Sequence, residues 1–173
     1  MSIWFRAILL GLLAFGLSGC ILGSKNPLFA EAEAKLLLAD YPNPAAYERN
    51  NGVWEKINEP VVFTPQVSHY VMKPEPGDPE VQISFVPIEG PWWVLQANEP
   101  EKPATYVLIK AEPKELLIYP LTCTMLKESG KFGNDIEFKD SDCFVKEGAD
   151  KMALFKALIG NASEPSSKLV SEN

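Results

Sequence analysis

Histidine occurs once in the 173 residues, at His69, and cysteine three times. A single imidazole cannot build a histidine-rich metal centre, and no CxxC spacing or nearby histidine makes one from the cysteines. The stretches G-x-S-x-G, H-E-x-x-H, G-x-x-x-x-G-K-[ST] and G-x-G-x-x-G are all missing. Their absence removes the local motifs for a nucleophile elbow, a zinc protease, a phosphate loop and a dinucleotide site. Positive charge is short as well, with 16 basic against 23 acidic residues and a net charge of −7. That balance argues against nucleic acid and against electrostatic adhesion to anionic lipid. After residue 23 no apolar run is long enough to span a bilayer.

What polar chemistry remains reads as ordinary surface. His69, in "VSHYVM", has no ligand partner at short spacing and reads as an exposed or hydrogen-bonded strand residue. Asp140 and Asp142, in "KDSDC", lack the third ligand, the glycine and the terminal glutamate of a calcium loop. They read as a solvated acidic turn. No catalytic residue, metal ligand or cofactor site is assigned, and the expectation is a non-enzymatic protein.

The N-terminus is more informative. Arg6 is the one positive charge of a short leader, and Ala7 to Gly19 carries none. That length suits a secretory core of roughly 7–15 residues, whereas a membrane span needs about 20. The run ends in Leu17-Ser18-Gly19-Cys20. These four residues resemble the lipobox of bacterial lipoproteins. The resemblance implies cleavage after residue 19 and a diacylglyceryl group on the Cys20 thiol, making it the first mature residue. Ile21 follows where an Asp would hold such a protein at the inner membrane. This implies an outer-membrane lipoprotein facing the periplasm, held by its N-terminal lipid. The alternative is an uncleaved signal anchor extended by Ile21, Leu22 and Gly23.

In an oxidising compartment Cys123 and Cys143 can pair. A bridge would close a loop of about 20 residues and add roughly 3 kcal/mol. Two unpaired buried thiols are the alternative.

Fifteen prolines and eleven glycines point to short strands and many turns. Residues 1–19 read as the leader. Residues 20–51 read as the lipidated cysteine, a tether over 21–29, a short helix in "AEAEAKLLLADY" and a turn-rich connector. Residues 52–160 read as one β-rich domain. Strands are expected in "VWEKI", "VVFTP", "SHYVM", "VQISFVPI", "GPWWVLQA", "ATYVLIKA", "ELLIYPL", "IEF" and "CFV". A C-terminal helix is expected in "GADKMALFKALIG", and residues 161–173 read as a disordered tail. The expected fold is mainly β with flanking helices: a small antiparallel barrel or strongly curved sheet of about eight short strands. A two-sheet sandwich is the alternative.

Aromatic residues supply the candidate contacts. Trp92 and Trp93 are adjacent and must face opposite sides of a strand. The Gly52-Val53-Trp54 triplet resembles the G-x-W signature of lipocalins, which implies a barrel whose base is closed by Trp54. The whole chain also resembles a loose group of envelope lipoproteins, through the "NPLF" segment after the lipobox, the late cysteine pair and the C-terminal helix. Trp54, Trp92, Trp93 and Tyr106 are therefore the candidate ligand or partner contacts. Two functions follow: a module that binds another envelope protein, or a lipocalin-like carrier of a lipid or other small apolar ligand.

Overall fold

The computed structural model describes residues 21–57, 62–73 and 79–172. The expected leader and the lipobox-like residues Leu17 to Cys20 lie outside them, as does part of the strand expected over 61–65.

Among the described residues the chain forms one 12-stranded sheet and two α-helices. In chain order the strands are β1 (Gly23–Ser24), β2 (Pro44–Asn50), β3 (Val53–Lys56), β4 (Thr64–Pro65), β5 (Tyr70–Met72) and β6 (Val81–Glu89). They continue with β7 (Trp92–Asn98), β8 (Ala104–Ala111), β9 (Glu115–Pro120), β10 (Ile136–Lys139), β11 (Asp142–Val145) and β12 (Ser167–Ser171). The helices are α1 (Cys123–Ser129) and α2 (Lys151–Ile159).

The main path runs β3-β2-β12-β9-β8-β7-β6-β5-β4, and every pairing along it is antiparallel. Where the partners are successive in sequence, short connections enforce this, because parallel pairing needs a long crossover; β12 instead joins β2 and β9 from a distance along the chain. The path has two ends, β3 and β4, so the sheet is open and the expected barrel does not form. It also forks at β8. Val107–Ala111 pair with β9, while Ala104 and Thr105 pair with β1, which leads through β11 to β10.

Both faces of the central strands are covered. This is why β6, β7 and β8 read as near-continuous apolar runs rather than as strict alternation. One core gathers Val86, Val94, Tyr106 and Leu108 under Leu154, Phe155 and Leu158 of α2. The other gathers Ile83, Phe85, Leu95, Val107, Ile109 and Ile118 with Leu37, Leu38 and Tyr41.

Three sequence expectations need correction. The helix over 30–41 is instead two short 3-10 helices, Glu31–Glu33 and Leu37–Asp40, with extended backbone at Ala34 between them. Burying Leu37, Leu38 and Tyr41 together, and bonding Lys35 N–H to the Phe85 carbonyl, outweighs helix propensity. Residues 21–29 are no tether: Leu22 is 0% exposed, and its N–H and C=O bond Leu121 and Tyr106. The tail over 161–173 is not disordered through its length. β12 lies between β2 and β9, with Leu169 in the core. A polar segment is ordered here because neighbours on both sides satisfy its backbone. The domain therefore extends beyond 52–160 at both ends.

α1 was not expected. Thr122 caps it, accepting the Met125 N–H at 3.4 Å, and Gly130 closes it at φ +66°. Its first residue, Cys123, lies at disulfide distance from Cys143 on β11, with Cα atoms 5.4 Å apart. The pair ties the helix to the hairpin β10–β11.

Candidate functional site: one face of the sheet

In an antiparallel sheet directly opposed residues share a face. The registers therefore trace a continuous row: Trp92 opposes Lys110, Lys110 opposes Leu117, and Leu117 opposes Lys168. Lys168 opposes Tyr47, and Tyr47 opposes Lys56. The neighbouring row on the same face places Tyr119 beside Leu108, and Trp54 opposite Arg49.

This face changes character along its length. Over β6–β8 it is the core beneath α2. Over β9, β12, β2 and β3 it carries half-buried rings and cations. At one end Trp92 packs on Tyr119, ring centroids 5.0 Å apart. At the other, Lys168 Nζ lies 5.0 Å from the Trp54 ring and 5.7 Å from Tyr47, and the Arg49 guanidinium lies 5.9 Å from Trp54. Trp92 on β7 and Trp54 on β3 are five strand spacings apart along the sheet, about 24 Å.

Each cation has a carboxylate partner. Lys110 meets Glu112 at 2.6 Å and Lys168 meets Glu115 at 2.9 Å. Arg49 pairs with Glu164 and Lys56 with Glu172. The hydrogen bonds to Glu112 and Glu172 hold Lys110 and Lys56 above the usual lysine pKa. The surface is thus dense in charge yet close to neutral, with donors and acceptors fixed by pairing.

The four aromatic candidates separate. Trp54 and Trp92 share this face. Trp93 is on the opposite face, half-buried against the second core, as adjacency required. Tyr106 is not a surface contact but 0% exposed. Burial raises the pKa of its hydroxyl, which bonds Ser24 and accepts the Leu28 N–H at 3.0 Å. Phe85 and Tyr106 belong to different cores, so they cannot line one cavity. Trp54 does not close a barrel either: it sits on edge strand β3, after a tight turn with Asn51 at φ +50° and Gly52 at φ +82°.

Sequence reasoning missed the polar group that fixes the N-terminal segment. Gln96, 1% exposed, accepts the Phe29 N–H at 3.0 Å and donates to the Phe29 carbonyl at 3.1 Å. Lys151 adds bonds to the Leu28 carbonyl and to both oxygens of Glu33. The bonds from Lys151 and from the Ala30 N–H hold Glu33 below the usual carboxylate range. A lone glutamine in an apolar strand was the available signal.

Elsewhere the chemistry is thin. His69 Nδ1 lies 3.9 Å from Glu31, beyond hydrogen-bond reach. Asp140, at φ +54°, forms the turn of the β10–β11 hairpin. Among the described residues no three His, Cys, Asp or Glu side chains are grouped to hold a metal, and no helix is long and apolar enough to cross a membrane. An open depression of about 390 Å³ lies by β4 and β5, lined by Val62, Thr64, Gln66, Val71, Lys73 and Glu80. No family model, no curated protein and no solved structure matches the chain.

Proposed function

We propose that this is a non-enzymatic, lipid-anchored protein of the bacterial envelope, held through Cys20 at the outer membrane and facing the periplasm. Its sheet, strongly curved around residues 36–41, presents the face carrying Trp54 to another envelope component. The observation that carries this reading is that face. Trp, Tyr and Arg dominate interfaces, and here they lie together outside the helix-covered core.

The anchor bears on how the face is presented. Ile21 bridges Thr122, and Leu22 and Ser24 are buried. Cys20 is one residue away, so a lipid there leaves almost no slack between membrane and domain. The carrier reading has less support, because Leu37, Leu38 and Tyr41 fill the second core where a calyx would be hollow.

Expression of the full chain in a bacterium with two membranes tests the reading. The N-terminal peptide should carry acyl mass on Cys20, and Cys20→Ala should move the protein to the soluble fraction. A benzophenone side chain at Lys56 should give an adduct in intact cells, lost in Trp54→Ala; one at Glu137 should give none. An unacylated wild-type chain would refute the anchor, and equal adducts at both positions would refute the face.

A further inference from the structure

We infer that the face between Trp92 and Trp54 is a binding site for an extended, uncharged glycan chain. The inference rests on the interaction reading above and names its ligand class.

The charge pattern sets the class. Each cation on the face is already matched by a glutamate, at 2.6 Å for Lys110 and 2.9 Å for Lys168. A polyanion gains little from cations that are already neutralised, and the chain's net charge of −7 repels it. An apolar ligand finds little aliphatic surface. Val53, Val62 and Val67 are the large hydrophobic side chains most exposed among the described residues. Val53 is on the other face of β3, and Val62 and Val67 flank β4 at the far end of the sheet.

What the face does offer is half-buried rings, with Lys168 and Arg49 lying over Trp54, beside paired donors and acceptors. A pyranose ring has the complementary surface, with an apolar face of C–H groups and a rim of hydroxyls. The C–H face stacks on an aromatic ring, and the hydroxyls bridge an ammonium and its carboxylate. Tryptophan and tyrosine supply large contact area at small entropic cost. The layout favours a chain over a single sugar, because Trp92 on β7 and Trp54 on β3 lie five strand spacings apart along the sheet, about 24 Å, with Tyr119 and Tyr47 on strands between them.

The test uses the full chain purified in a detergent without sugar headgroups. The probes are hexamers of β-1,4-linked N-acetylglucosamine, β-1,4-linked glucose and α-1,4-linked glucose, each with its disaccharide. At least one hexamer should shift tryptophan emission saturably and bind more tightly than its disaccharide. Trp54→Ala and Trp92→Ala should each weaken it about tenfold, about 1.4 kcal/mol. Lys56→Ala, on an exposed side chain of the edge strand, should weaken it several-fold without touching the core. Trp93→Phe, on the opposite face, should leave binding within about twofold of wild type. No saturable shift with any hexamer overturns the inference, as does loss in Trp93→Phe with retention in Trp54→Ala. If the benzophenone at Lys56 gives a discrete protein adduct while every hexamer is silent, the glycan is refuted and the interaction module stands.

Discussion

Replacing Gln96 by leucine removes both bonds to Phe29 while keeping the side chain's size. Gln96 is 1% and Phe29 3% exposed, so water cannot take over either backbone group. Each buried group left without a partner costs about 1–3 kcal/mol, partly offset by the added apolar contact of leucine. The net loss should be about 2–4 kcal/mol, a large share of a typical stability of about 5–15 kcal/mol. Urea unfolding followed by intrinsic fluorescence should give a lower midpoint at unchanged slope. Amide exchange should report where the loss lies, with protection at Phe29 falling more than at Val94 or Leu108. Gln82→Leu is the control, because Gln82 makes one long bond, 3.3 Å, to exposed Glu31. It should cost less than about 0.5 kcal/mol. An unchanged midpoint in Gln96→Leu, with Phe29 still protected, would refute the docking of the N-terminal segment onto the sheet.

Further outcomes follow from the same structure. Cys123→Ala/Cys143→Ala should lose about 3 kcal/mol, with a steeper urea slope from a more expanded unfolded chain. Equal midpoints with and without reductant would mean that the thiols are unpaired. Gly23→Ala should cost about 1–3 kcal/mol, because the added methyl meets the Ala104 carbonyl at 3.1 Å and the Phe144 ring at 3.4 Å; an unchanged melting temperature would contradict that close approach. Glu33 has a lowered pKa, so its pairing with Lys151 stabilises the fold above the usual carboxylate range and is lost as pH falls through the lowered value. The pair is part-exposed, so this is worth under about 1 kcal/mol, and Lys151→Met should flatten the stability profile below about pH 5.

Pattern and composition alone determined much of the local structure. Alternation placed Val81, Ile83 and Phe85 on one side of β6 and split Trp92 from Trp93, because strand geometry leaves adjacent side chains no other choice. Short turns made successive strands pair antiparallel, and the helical spacing of Met152, Phe155 and Ile159, with Leu154 and Leu158 beside them, marked α2. The acidic charge balance and the Leu17-Ser18-Gly19-Cys20 stretch that resembles a lipobox likewise stand in the sequence. Only the tertiary structure decided which distant segments meet. "SKLVS" became the strand β12 because β2 and β9 bind its two edges, and no local propensity reports that. "LLLADY" gave up a helix because its side chains are worth more in the second core. Trp54 and Trp92 share a face only because four strands lie between theirs in fixed register. Register depends on long-range hydrogen bonding, and a one-residue slip would have sent either ring to the other side.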